Sequence, residues 1–239
     1  MGRFFTAIQF LTMVRVPGDG PPARGAIFFP LVGAAVGFLA AGIRITAGKA
    51  FPPSIAALLA LGFLIIVTGA LHEDGLADVF DAFRAGRSPE KIQAILKDSR
   101  IGVYGAVAVV MTLLLRWQAI ESLDGRVIQA LVGAAGASRG AMVVFAYISR
   151  PIGDGLGKAF CLGLRRPDVI LAAIQSTALL FLSGPVPAAV ALSANALLIV
   201  AARAYFHRRA GGITGDCIGA VCQMSETITL LVFVCLPSI

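Results

Sequence analysis

The chain has 239 residues, of which 58% are hydrophobic and only 14% charged, with a mean hydropathy of +0.87 and a net charge of +7. Soluble domains are about 45–50% apolar and about 25% charged, so this composition excludes a water-soluble globular protein. The positive charge clusters between apolar runs, the pattern of cytoplasmic membrane loops rather than of a nucleic-acid-binding face.

In chain order, Arg3 precedes an apolar stretch from Phe4 to Val14 that is too short to cross a bilayer and is closed by Arg15. No small-residue cleavage site follows, so an interfacial helix is expected rather than a signal peptide. A bilayer core takes about 20 apolar residues per helix, which gives candidate spans at Ile27–Ile45, Ile55–Leu71, Val103–Ile120 and Val127–Ile148. The uncharged stretch from Val169 to Ala202 is too long for one helix, and Ser183-Gly184-Pro185-Val186-Pro187 breaks it in two. The last span is Cys217–Leu236. The expectation is an all-α, polytopic integral membrane bundle of about seven transmembrane helices plus the N-terminal interfacial helix, forming one domain over residues 1–239.

Loop charge orients it. Connections carrying Arg84, Arg87, Lys91, Lys97 and Arg100, then Arg150, Lys158, Arg165 and Arg166, then Arg203, Arg208 and Arg209, alternate with poorer ones holding Arg44 and Lys49 or Arg116 and Arg126. By the positive-inside rule the N-terminus and the loops 72–102, 150–167 and 203–216, expected to be the catalytic loops, are cytoplasmic, in a bacterial inner membrane, with the C-terminus outside. Glycines within the spans, such as Gly33, Gly37, Gly133, Gly136 and Gly140, suit close helix packing. Cys161, Cys217, Cys222 and Cys235 have neither C-x-x-C spacing nor a neighbouring His, so no zinc or disulfide framework is expected.

The second connection opens His72-Glu73-Asp74-Gly75-Leu76-Ala77-Asp78-Val79-Phe80-Asp81. If the preceding span continues helically into it, Asp74, Asp78 and Asp81 share one face. Three carboxylates on one face repel one another unless a cation neutralises them, and hard oxygen donors suit Mg²⁺; a solvated helix face is the competing reading. Ser88 and Pro89 start a short helix carrying Ile92, Ile95 and Leu96. It leads to Lys97-Asp98-Ser99-Arg100-Ile101-Gly102-Val103-Tyr104-Gly105, a composition that suits either a phosphate contact or a charged interfacial loop. Before the last span, Gly211-Gly212-Ile213-Thr214-Gly215-Asp216 allows a tight turn whose backbone N–H groups can approach an anion. Glu226 and Arg139 are the ionisable residues expected inside the membrane. They either pair with each other or, for Arg139, meet a substrate phosphate. His207 and Asp154 read as loop residues.

At these residues the sequence resembles the cobalamin synthase family, adenosylcobinamide-GDP ribazoletransferase. The resemblance rests on Phe29-Pro30-Leu31-Val32-Gly33, the run from His72 to Asp81, Lys97-Asp98-Ser99-Arg100-x-Gly102-x-x-Gly105, Ser138-Arg139 and Gly211-Gly212-x-Thr214-Gly215-Asp216-x-x-Gly219-Ala220. Glu73 and Ala82 depart from the expected pattern, where an apolar residue and a glycine would stand. The resemblance implies a Mg²⁺-dependent enzyme that joins adenosylcobinamide-GDP to α-ribazole or α-ribazole 5′-phosphate. It would release GMP and form adenosylcobalamin or its 5′-phosphate, with the bilayer as surroundings, no nucleic-acid partner and room for a homo-oligomer. It implies Asp74, Asp78, Asp81 and Glu73 as metal ligands, and Asp98, Asp81 and His72 as catalytic groups, Asp98 taking the ribazole 5′-hydroxyl proton. Lys97, Ser99, Arg100, Arg139, Thr214, Gly215, Asp216 and Glu226 would bind substrate. The runner-up is a lipid enzyme of the CDP-alcohol phosphotransferase type, followed by a small-solute transporter.

Overall fold

The structure is a computed structural model and describes residues 2–18, 20–98 and 100–236. It is a helical membrane bundle. Its helices are α1 (Gly2–Leu11), α2 (Phe29–Ala47), α3 (Pro53–Thr68), α4 (Leu71–Ala85), α5 (Pro89–Ile95), α6 (Val103–Glu121), α7 (Val127–Ile148), α8 (Leu156–Gly163), α9 (Arg166–Leu180), α10 (Pro185–Ala210) and α11 (Gly215–Cys235). A 3-10 turn, Pro22–Phe28, leads into α2. Proline begins α3, α5 and α10 and sits in the first turn of α2 and α9, where its missing N–H costs nothing.

Among the described residues, five helical segments are long and apolar enough to cross a membrane, and six if α3 and α4 are taken together. This corrects the expectation of about seven. The break at residues 183–187 is where the sequence puts it. However, α9 has 15 residues before its 3-10 turn and falls short of spanning length. Large apolar side chains left on the outer surface, such as Ile66, Leu197 and Val200, are explained by lipid rather than by a missing partner.

The main correction concerns α3 and α4. They are not one continuous helix. Gly69 and Ala70 both adopt left-handed backbone, and α4 leaves at 86° to α3. A left-handed glycine just past a helix is a standard stop. The acidic residues therefore lie on a separate helix with one acidic and one apolar face, and it is not itself a span.

Close contacts set which helix ends lie together. Trp117 Nε1 donates to Ser54 O (2.8 Å), joining the end of α6 to the start of α3. At the other end of the bundle, Met13 N–H donates to Val67 O (2.8 Å). There the loop after α7 and the loop before α11 form a short parallel bridge: Ile152 N–H donates to Ile213 O and Ile213 N–H to Arg150 O, each 2.9 Å. The N-terminal helix does more than lie on a surface. Ala7 and Leu11 are buried, and the Phe10, Phe29 and Phe160 rings stack on one another.

The centre of the bundle is α7, packed by α2, α9 and α11. Gly33 and Gly37 on α2 let the two backbones touch, since a Cβ at Gly37 would fall 2.7 Å from the Leu131 carbonyl carbon. Gly37→Val is expected to lower stability by about 1–3 kcal/mol through overpacking, seen as a lower melting temperature in detergent. Gly42→Val, where a Cβ would meet open space, should leave the melt unchanged.

Candidate active site

The site is built on α4, and α4 is held by charge. Arg116, Arg139, Glu73 and Glu226 are all buried inside the bundle. Arg116 Nη2 donates to Glu226 Oε1 (2.5 Å), and Arg116 Nη1 donates to Glu73 Oε1 (3.1 Å) and Gln223 Oε1 (2.9 Å). Arg139 donates to the other oxygen of Glu226 and to Ser138 Oγ. Two cations and two anions balance, which is how ionised groups survive in a low-dielectric interior. The pairing of Arg139 with Glu226 was one of two readings open from the sequence. Arg116 was counted among the loop charges, but it is buried in α6 and is the hub of the network. The signal was available, since Arg116 follows the apolar run Val107–Leu115.

With Glu73 tied inward, the rest of α4 is fixed in rotation. Asp74 is exposed, Asp78 half-buried and Asp81 buried, in line along one face. Asp81 accepts from Gly102 N–H (2.7 Å) and Gly105 N–H (2.9 Å). It thereby ties the start of α6 to α4. A Cβ at Gly105 would collide with this carboxylate, so only glycine permits the contact.

Asp74 faces α11. A cavity of about 390 Å³ brings together His72 and Asp74 from α4, Lys97 just after α5, and Thr214, Gly215 and Asp216 at the start of α11. Thr214 Oγ1 donates to Asp216 Oδ2 (3.1 Å) and makes no cap to the α11 backbone, so the first turn of this long helix is a place where an anion is favoured. His72 is 2% exposed, and its Nε2 has no partner among the described residues. Sequence reasoning missed Gln93, Asp154 and Lys158, which also line the cavity. Lys158 Nζ bonds Asp154 Oδ1 (3.2 Å). Only the bridge between the loops at 152 and 213 carries them there, and that bridge has no local sequence signal.

Other candidates lie elsewhere. Glu73, Arg139 and Glu226 form the interior network and do not line the cavity. Asp98 is clamped by Arg100, whose Nη2 donates to Oδ2 (2.6 Å) and whose backbone N–H donates to Oδ1 (3.1 Å). These bonds draw the Asp98 carboxyl down to about 2. Ser99 lies outside the described residues.

Among the described residues no three His, Cys, Asp or Glu side chains lie close enough to hold a metal ion by themselves. The carboxylates nevertheless feel one another. Asp78 is pushed up from 3.8 to about 6, first by burial and then by Asp74, Asp216 and Asp81. Unrelieved negative charge on hard oxygen donors is the environment that a divalent cation relieves.

The family model described as cobalamin-5-phosphate synthase matches residues 3–234 of this chain. An adenosylcobinamide-GDP ribazoletransferase of Geotalea daltonii is 36% identical over 237 residues, covering 97% of this chain and 96% of that protein. Proteins of the same name from Ralstonia pickettii and Mesorhizobium japonicum are 35% and 41% identical, covering 95% and 85% of this chain and 92% and 80% of their own. No solved structure matches.

The raised Asp78 carboxyl makes stability depend on pH. Its contribution is complete below about pH 3.8 and is lost as pH rises through about 6, because folding then holds a charge that the unfolded chain carries more easily. Partial solvent exposure reduces the effect to on the order of 1 kcal/mol. In metal-free detergent solution at neutral pH, Asp78→Asn should therefore melt higher than the parent and show a flatter pH dependence of melting. An unchanged pH slope would remove Asp78 from the cluster.

Proposed function

The chain belongs to the cobalamin-5-phosphate synthase family, and from that premise we propose that it is a Mg²⁺-dependent adenosylcobinamide-GDP ribazoletransferase. It would join adenosylcobinamide-GDP to α-ribazole or α-ribazole 5′-phosphate and release GMP. The observation that carries this reading is the cavity between α4 and the start of α11, where Asp74, Asp216, Lys97 and Lys158 meet. Acidic donors beside cations and unpaired backbone N–H groups are what a diphosphate with its counter-ion requires.

Asp74 and Asp216, with Asp78 behind them, are the residues that would hold the ion. Two or three carboxylates suffice, since Mg²⁺ usually completes its shell with water and substrate phosphate oxygens. When bound it would neutralise charge on the diphosphate and on the departing GMP. Lys97 and Lys158 bind phosphate oxygens from the two sides of the cavity. The α11 N-terminus accepts the negative end of the diphosphate. Glu73 and Asp81 position α4 and leave the liganding to their neighbours.

The ribose oxygen of ribazole attacks the phosphorus linked to cobinamide, and the bond from that phosphorus to the GMP oxygen breaks. A substrate that already bears a 5′-phosphate has no free 5′-hydroxyl, so the attacking oxygen is another ribose hydroxyl. This revises the 5′ assignment. Its proton needs an acceptor titrating near neutrality. Asp98, held near 2 by Arg100, is poorly matched to that role. We place the cavity on the cytoplasmic side of the inner membrane, from the loop charges.

The test is turnover by the reconstituted protein. GMP and a corrinoid product should form from adenosylcobinamide-GDP and ribazole or its 5′-phosphate only with Mg²⁺. Asp74→Asn or Asp78→Asn should lower the rate by about two orders of magnitude or more, a size typical of lost transition-state electrostatics. Product from CDP-diacylglycerol and an alcohol, with none from the corrinoid, would select the lipid enzyme instead.

A further inference from the structure

The acidic face of α4 meets the cavity. Its opposite face borders a second feature that the reaction does not use. Val79, Phe80 and Phe83 of α4, Leu198 and Phe206 of α10 and Met224 of α11 line an apolar groove of about 420 Å³. At one end it runs into a polar recess of about 560 Å³, with which it shares Phe83, Arg84 and Tyr205. Arg84, Arg87 and Arg209 line that recess with Tyr104 and Tyr205, and no Asp or Glu lines either part.

The cations are organised but not neutralised. The Arg84 guanidinium lies 5.5 Å from the centre of the Tyr104 ring, and that of Arg209 lies 5.7 Å from Tyr205. Arg209 Nη2 also donates to Phe83 O (3.0 Å) and Gly86 O (2.8 Å), closing the end of α4. None of the three makes an ion pair with a carboxylate among the described residues. Tyrosine beside arginine at a helix end is the composition of a membrane–water interface. The groove runs along α10 at Leu198 and Ala201, next in the helix to the exposed Leu197.

We propose that this cleft binds one anionic phospholipid, with its phosphate on Arg84 and Arg87 and an acyl chain along the groove between α4 and α10. Charge complementarity selects the headgroup, because basic recesses at the interface attract anionic lipid. The apolar continuation selects a lipid over a soluble phosphate, which would leave the aromatic groove empty. The bound chain would press on the back of the helix whose front carries Asp74 and Asp78.

The test uses the full chain, purified in detergent, stripped of lipid and offered equal phosphatidylglycerol and phosphatidylcholine, with bound lipid counted by native mass spectrometry. The expected result is one phosphatidylglycerol per chain with at least about fivefold preference over phosphatidylcholine. The double substitution Arg84→Gln and Arg87→Gln should abolish that preference. Ala201→Trp, which fills the groove and leaves all three arginines in the sequence, should reduce binding of both lipids at least about fivefold. If the arginine variant melts early, the groove variant alone decides. Equal retention of the two lipids by the parent, unchanged binding in Ala201→Trp, or displacement by glycerol 3-phosphate at comparable concentration would each overturn the proposal.

Discussion

Four buried charges govern this structure. Arg116 and Arg139 come from α6 and α7, and Glu73 and Glu226 from α4 and α11. In a medium with little water, each ion is tolerable only while the others stay in place. Leaving one unpartnered would cost several kcal/mol, roughly 3–5 by analogy with broken buried pairs. The register between α4 and α11 is therefore fixed by electrostatics as well as by packing. Without that lock α4, joined to α3 by a sharp turn, would be held in rotation only by the packing of Leu76, Val79 and Phe83.

Once α4 is locked, its carboxylates separate into two roles. The inner carboxylates hold structure: Glu73 meets Arg116, and Asp81 gathers the N–H groups of Gly102 and Gly105. The outer ones remain available: Asp74 lines the cavity, and Asp78 stands half-buried behind it with its carboxyl near 6. Opposite them, α11 begins at Gly215 with an uncapped first turn, and Lys97 and Lys158 approach from the sides. An anion with a divalent counter-ion fits this division of charge. The aromatic back of α4, between the bundle and lipid, completes a helix whose three sides face three different media.

Much of this was legible in sequence because it is local. The ends of α6, α7 and α11 fall within a few residues of the apolar runs, and Ser88 caps α5 as its residue type suggests, accepting from Lys91 N–H. The acid spacing on α4 survives even though the helix does not continue from α3. That failure had a local cue, Gly69, but the left-handed Ala70 beside it had none. Arg116 was hidden by counting charges instead of depth, and Glu73 by its place among the aspartates. Lys158 and Asp154 reach the cavity through a tertiary bridge between distant loops, which no single-segment pattern encodes. The seven-span count took the short segment before residue 183 as a span because the alternation of loop charge favoured two, and α9 is shorter than the bilayer core.

The most direct measurement of the link between the buried lock and the acidic site is a Mn²⁺ titration, with Mn²⁺ standing in for Mg²⁺, followed by electron paramagnetic resonance. It would compare the parent chain, Asp78→Asn and Arg116→Met, each in nanodiscs and each shown to be folded. The expected result is one bound Mn²⁺ per parent chain and an affinity at least about tenfold weaker in both variants, although Arg116 lines no part of the cavity. A folded Arg116→Met protein that binds Mn²⁺ as tightly as the parent would contradict the dependence of the acidic site on the buried charges.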